Sequence, residues 1–160
     1  MAIYNGMKRN FWVLAVVVSQ FGCAPKIQVT GTCPSRLLPE EEWIESKIQS
    51  SKKTKTVASQ VVLSGDVLGA LRKNDSIELN PLYFTQIRLV NFTTSDTILT
   101  MSDVYGKYSV LMEPGSYSIK FWTTGFNNLI VKSSPLHKGD SITMNIILGQ
   151  GFGESYQKLR

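Results

Sequence analysis

The sequence predicts an all-β protein: a small antiparallel sandwich or barrel behind an apolar N-terminal segment and a polar tether. Two observations carry this fold class. From Val57 onward apolar and polar residues alternate with period two in short runs, and Gly, Asp, Asn and Pro separate those runs at regular intervals. No stretch in this half of the chain has the 3.6-residue periodicity of an amphipathic helix.

The chain has 160 residues, 42% of them hydrophobic and 18% charged, which suits one globular domain with short extensions. Its net charge of +5 is unevenly placed. Lys8 and Arg9 belong to the first segment, and Lys47, Lys52, Lys53 and Lys55 fall in one short stretch without interleaved aromatics, so no nucleic-acid partner is expected. The two cysteines, Cys23 and Cys33, lack zinc-site spacing, and His137 is the sole histidine. No metal, no cofactor and no catalytic residue is therefore expected.

Residues 1–22 read as a cleavable signal segment. Lys8 and Arg9 precede a continuous apolar run, FWVLAVVV at 11–18, and Gly22 stands directly before Cys23. The run is too short to span a bilayer, which takes about 20 apolar residues, and has the length of a signal-peptide core. Met7 is an alternative start, and a buried first strand is the alternative structure. The close of the segment resembles a bacterial lipobox, with Gln20 where that motif usually has Leu. The resemblance implies that Cys23 is acylated on its thiol, becomes the mature N-terminus and attaches the protein to a membrane. Cys33, in a polar loop before Pro34, is then a free thiol or an intermolecular partner.

Residues 23–56 read as the tether. Pro25, Gly31, Pro34 and Pro39 punctuate its first half. A short helix is expected over 39–48, with Glu40, Glu41 and Glu42 in its first turn and Trp43, Ile44, Lys47 and Ile48 sharing a face. Residues 46–56, SKIQSSKKTKT, read as solvated linker, with a basic patch for anionic headgroups as the alternative. The domain is expected over 57–150, with a flexible tail at 151–160.

Within that domain the strands are expected at 59–67, 86–92, 97–102, 107–112, 117–123, 127–132 and 141–148. Residues 71–80 are expected as an extended loop. Glu113-Pro114-Gly115-Ser116 predicts a type II turn, because Pro114 presets φ and Gly115 accepts a positive one. Asp103-Val104-Tyr105-Gly106 predicts a hairpin turn, in which Asp103 bonds the backbone two residues on. Tyr108, Val110 and Met112 then share one face, and Tyr117, Ile119 and Phe121 form a core face against Ser118, Lys120 and Trp122.

These residues resemble the carboxypeptidase regulatory-like domain. The match runs through VVLSGDVLG at 61–69, Pro81-Leu82, QIRLVN at 86–91, Asp103-x-x-Gly106-x-Tyr108, Pro114-Gly115-x-Tyr117, Gly125-Phe126 and a last strand ending at Leu148. It covers roughly residues 57–150 and implies a seven-stranded, transthyretin-like (prealbumin-like) β-sandwich that serves as a folding, docking or binding module. The transthyretin-like hydrolases of the same architecture need several histidines and a C-terminal Tyr-Arg-Gly-Ser, whereas this chain ends Tyr156-Gln157-Lys158-Leu159-Arg160. His137 lies in a polar turn, and the carboxylates fall mostly at turns.

The functional reading is therefore a non-enzymatic, lipid-anchored cell-envelope protein that displays a sandwich as a structural, docking or accessory module. The expected partners are a membrane, through the anchor, and an envelope protein or a glycan. The expected location is the outer membrane of a Gram-negative bacterium, facing the periplasm or the surface. The alternative is a glycan- or peptide-binding lipoprotein in which Trp122, outward beside Phe126, and loop 71–80 make the site; a hydrolase ranks third.

Asp75-Ser76-Ile77, Asp96-Thr97-Ile98 and Asp140-Ser141-Ile142 also resemble an O-glycosylation acceptor motif of exported bacterial proteins, implicating Ser76, Thr97 and Ser141. The same triplets also lead turns into strands. Intact mass of the mature protein from its own host separates the two: glycan mass is expected if the acceptor reading holds, and an unmodified mass removes it.

Overall fold

The computed structural model describes residues 43–159, all within one compact unit, Leu37–Arg160. The signal segment, Cys23, Cys33 and residues 39–42 of the expected helix lie outside the described residues. Ten strands are described: β1 (Lys47–Lys55), β2 (Val61–Lys73), β3 (Ser76–Pro81), β4 (Gln86–Asn91), β5 (Thr97–Met101), β6 (Lys107–Met112), β7 (Tyr117–Trp122), β8 (Asn128–Ser133), β9 (Asp140–Gly149) and β10 (Glu154–Leu159). They form two five-stranded sheets. One has the order β1-β9-β2-β3, with β6 also paired to β2; the other is β10-β8-β7-β4-β5. The all-β architecture matches the sequence reading. Two pairs, β2 with β9 and β8 with β10, are parallel where antiparallel pairing was expected.

Strand β2 organises the first sheet. One edge pairs with β9. The other pairs with β6 over Val61–Asp66 and with β3 over Leu68–Lys73. The change of partner falls at Val67, whose N–H donates to the Gly106 carbonyl (2.8 Å) and whose carbonyl accepts from Leu82 N–H (2.9 Å). Gly106 has φ 77°, and a Cβ there would lie 2.6 Å from the Val67 carbonyl oxygen, so the position admits only glycine. The β2–β9 ladder breaks between the pairs Ser64–Thr143 and Val67–Ile146. Side chains fill the gap: Asp66 N–H donates to Asn145 Oδ1 (3.0 Å), and the Tyr108 hydroxyl donates to the Met144 carbonyl (2.7 Å). Burial first, then the Asp66 carboxylate, push the Tyr108 phenol well above its ordinary range, so it stays a donor.

The core lies between the sheets and follows the period-two pattern. Val61, Leu63 and Val67 of β2 and Ile142, Met144, Ile146 and Leu148 of β9 face Ile87 and Leu89 of β4, Ile119 and Phe121 of β7, and Leu129 and Val131 of β8. Tyr108, Val110 and Met112 are buried, as are Tyr117, Ile119 and Phe121, so both expected faces form. The rings of Tyr108 and Phe121 meet edge-on across the sheets, with centroids 5.5 Å apart. Each fully buried large apolar side chain contributes about 1.5–3 kcal/mol.

Three segments read as irregular are strands. Residues 46–56 are not a linker: β1 pairs antiparallel with β9 along its length, with a bulge between Ile48 and Ser50. No helix begins in 43–48, which run straight into that strand. All of its residues except Ile48 are exposed, so no alternation marks it in the sequence. Residues 71–80 are not a loop but the β2–β3 hairpin, turned at Asn74 (φ 55°). Residues 154–159 are not a tail but β10, parallel to β8, with Leu159 buried.

Both expected turns are corrected too. Asp103 caps its turn, accepting at Oδ1 from the N–H groups of Tyr105 and Lys107 (2.8 Å each), but the turn carries the chain from β5 in one sheet to β6 in the other and closes no hairpin. Gly115 has φ 156°, far from the ~80° of a type II turn. It instead exchanges two hydrogen bonds with Leu136 (2.9 and 3.0 Å), while Pro114 leads the crossing from β6 to β7.

Asp140 holds β1 in place. Its side chain is fully buried, with Lys53 Nζ at 2.7 Å and Lys55 Nζ at 2.6 Å, and the His137 N–H donates to Oδ2 at 2.7 Å. Burial opposes ionisation, but the His137 N–H and the two ammonium groups outweigh it and hold the carboxyl well below the usual carboxylate range. A lowered folded-state pKa means that the stabilisation is present above the unfolded value of about 3.9 and is lost as pH falls through the folded value. Asp140→Asn is expected to lower the urea midpoint at pH 7, and the gap to wild type is expected to close as the pH is taken well below 4.

Candidate functional site

The described chain begins at one end of the sandwich, here called proximal. Strands β4, β8 and β10 start at that end, and β5 and β7 finish there, as the pairings Gln86–Met101, Gln86–Trp122 and Glu154–Asn128 require. Residues 43–46 are bolted in by two buried polar side chains. Ser46 Oγ donates to the Asn127 carbonyl (2.7 Å) and accepts from Gly149 N–H (2.9 Å). Asn127 Nδ2 donates to the Ile44 carbonyl (2.8 Å), and Asn127 Oδ1 accepts from Gly153 N–H. Ile44 N–H donates to the Gln150 carbonyl (3.0 Å). Gly149 approaches Ile44 so closely that a Cβ would overlap the Ile44 carbonyl.

The loops at this end carry large apolar side chains in solvent. Tyr83 and Phe84 lie between β3 and β4, and Val104 and Tyr105 between β5 and β6; the four are 58–72% exposed. The two loops are laced together: Phe84 N–H donates to the Ser102 carbonyl (3.0 Å), Thr85 N–H to Ser102 Oγ (2.9 Å), and Ser102 Oγ to the Leu82 carbonyl (2.7 Å). Tyr83 and Phe84 meet edge-on, with centroids 5.5 Å apart. Phe84 has φ 55°, a left-handed conformation that costs a bulky residue about 1–3 kcal/mol and persists because its surroundings impose it. Phe152, also exposed, projects from the neighbouring β9–β10 loop.

Sequence reasoning passed over this cluster because it sought chemistry-bearing residues, and these are apolar. The available signal was Tyr83-Phe84 and Val104-Tyr105 inside segments that should have been polar turns. The residues it did single out are scattered. Trp122 points outward from β7 but is half-buried, next to a cluster in which Glu154 accepts from Lys120 (2.9 Å) and Tyr156 (2.6 Å). The Tyr156 hydroxyl, then Lys120, hold the Glu154 carboxyl down at about 2. Phe126 does not join Trp122 on the surface. It packs against the core over Gly69 and bridges to Gln150, so the paired outward aromatics are corrected.

The remaining positions are surface or structural. Asp103 and Gly106 shape the proximal crossing, and Pro114 and Gly115 the distal one. Ser76 and Thr97 are exposed, whereas Ser141 is half-buried in the interior strand β9. His137 is exposed and acts through its backbone. A shallow depression of about 400 Å³ on the outer face of the first sheet is lined by Ser64, Asp66, Asp103, Lys107, Ser109 and Thr143 among others. Among the described residues no group of three or more His, Cys, Asp or Glu side chains could hold a metal ion.

No protein-family model and no curated protein matches the sequence. Among solved structures the chain is similar to 3-chlorocatechol 1,2-dioxygenase from Rhodococcus opacus 1CP, with a TM-score of 0.40, 8% identity and 58% of this chain covered. It spans 61% of that enzyme's chain. Set beside that finding, the expectation that this protein is no enzyme is withdrawn. A likeness this slight assigns no activity to the chain.

The bolt at residues 43–46 has a measurable worth. Ser46→Ala leaves the Gly149 N–H and the Asn127 carbonyl without their partner, and is expected to destabilise the domain by about 1–3 kcal/mol. Urea unfolding checks this through a lower midpoint at unchanged slope.

Proposed function

We propose that the protein is a lipid-anchored component of a bacterial cell envelope, which displays its β-sandwich as a structural, docking or accessory module at the membrane. The single observation that carries this reading is the bolt at Trp43–Ser46. The segment downstream of Cys23 runs into a site where Ser46 and Asn127, both buried, join it to three separate backbone segments. Pull on the anchor is thereby delivered to the body of the domain. Acylation of Cys23 with two or more chains gives stable attachment, because each buried CH₂ contributes about 0.8 kcal/mol. Ala24, Pro25 and Lys26 carry no acidic residue, and the location that suits them is the outer membrane of a Gram-negative cell, on its periplasmic face.

In this reading the sandwich is of the carboxypeptidase regulatory-like, transthyretin-like kind. The support is that the seven strands expected from the motifs coincide with β2 and β4–β9, leaving β1, β3 and β10 as additions at sheet edges. A glycan- or peptide-binding reading through Trp122 has lost its second aromatic and its loop, and no observation favours it.

Radiolabelled palmitate fed to the native host is expected to label the protein, and Cys23→Ser is expected to abolish both the label and recovery in the membrane fraction. A labelled or membrane-bound Cys23→Ser protein would sink the anchor. Crosslinking in native membranes is expected to capture an envelope protein, and recovery of an isolated monomer alone counts against a docking role.

A further inference from the structure

Resting on the reading of Cys23 as the anchor, we propose that the proximal end of the sandwich seats in the interfacial layer of the same bilayer, with the tip formed by Tyr83, Phe84, Val104 and Tyr105 entering the headgroup region. The occupant is lipid, and the tip sets the orientation of the domain on the membrane.

Chain connectivity is the first support. Trp43 lies twenty residue steps after Cys23, a span of at most about 70 Å even when fully extended. The anchor therefore pulls on the end of the domain where Trp43 to Ser46 join it. That end is also the apolar one. The tip residues and Phe152 are exposed there, and the β2–β3 arm projects past it with Ile77 exposed. At the distal end the exposed large apolar residues are Val57, Phe92 and Leu111, dispersed over three separate segments.

The composition and hydrogen bonding of the tip suit an interface between water and lipid. Tyrosine places an apolar ring and a polar hydroxyl at the depth where both are satisfied. The Phe84 N–H, the Thr85 N–H and both backbone groups of Ser102 are bonded within the two laced loops, and Asp103 Oδ1 takes the Tyr105 and Lys107 N–H groups, so the loops hold their shape. The remaining backbone groups of the tip, among them the Tyr83 and Val104 N–H, suit the headgroup layer, which still holds water and polar partners, and not the hydrocarbon core. Neither the depression on the outer face of the first sheet nor the small pocket beside Lys53 and Leu159 is lined by any of the four tip residues. The left-handed Phe84 keeps an aromatic ring in solvent at a position that Asn or Gly would fill without strain, as expected where the ring is needed outside the fold. Because the acyl chains supply the attachment, the tip need only orient a domain that is already at the surface.

The test uses the full chain, matured and acylated, reconstituted in phosphatidylethanolamine–phosphatidylglycerol vesicles. In a Cys33→Ser background, a fluorophore is placed at Val104→Cys or, at the distal end, at Val57→Cys. Headgroup-proximal doxyl-lipid is expected to quench the Val104 probe severalfold more than the Val57 probe. Tyr83→Ser with Phe84→Asn is expected to remove that difference, and Asn at φ 55° keeps the fold intact. Equal quenching at both ends, or none at either, overturns the proposal. So does a Val104 probe shielded from water yet untouched by doxyl-lipid, which would mean that residues 24–42 or a second copy cover the tip. Acylation is read separately by palmitate incorporation: an unlabelled chain overturns the anchor itself, whereas a labelled chain with an unquenched Val104 probe overturns only the docking.

Discussion

Strand β2 changes partners at Val67, and the two-sheet structure depends on how that single residue is bonded. Its N–H reaches the β5–β6 crossing at Gly106 while its carbonyl takes the Leu82 N–H from the segment after β3. One residue thus closes β6 and β3 onto the same edge of the same strand. The arrangement works because Gly106 has no side chain to strike the Val67 carbonyl, and because Gly65 has none to strike the Met144 carbonyl on the opposite edge. Tyr108 uses the second gap. Its hydroxyl replaces a missing ladder bond to β9, and its ring packs against Phe121 of the other sheet. A backbone irregularity is thereby tied to the centre of the core.

The sheet edges are handled by charge and by side-chain bonds. Strand β1 is coated with Lys47, Lys52, Lys53 and Lys55, a composition that discourages pairing with another chain. Two of those lysines turn to Asp140, and Ile48 N–H donates to Gln157 Oε1 of β10, so the edge is also fastened to the opposite sheet. A buried carboxylate is costly unless paired and hydrogen-bonded, and Asp140 has both kinds of partner. Its place in an Asp-Ser-Ile triplet has a structural use whether or not Ser141 is modified.

The apolar tip stands apart from this pattern. Leu99 with Met101 on β5 and Ile77 with Leu79 on β3 are also exposed, but as alternate residues of edge strands, whereas Tyr83, Phe84, Val104 and Tyr105 are held out by loops laced through Ser102 and Asp103. The same end receives the N-terminal chain, so chain entry and apolar exposure coincide in one part of the domain.

The alternation of Tyr108, Val110 and Met112, and of Tyr117, Ile119 and Phe121, was legible because a half-buried strand writes its burial into every second residue. Asp103 and Gly106 were legible as a turn for the same local reason: a carboxylate two residues from a free N–H and a glycine at positive φ need no distant partner. Strands β1, β3 and β10 left no such mark. The side chains of β1 and β3 stay almost wholly in water, and their strand character comes from backbone pairing with β9 and β2, far away in sequence. Pro114-Gly115 carried a strong local turn signal, yet Leu136 engages both backbone groups of Gly115. The apolar tip belongs with these. Two adjacent aromatics in a loop look like core residues in one dimension, and only the packing of β2 against β3, β6 and β9 leaves them with no interior to enter. Residue pattern suffices where burial repeats along a strand; tertiary pairing decides where the energy lies in backbone bonds between distant segments, which side chains do not encode.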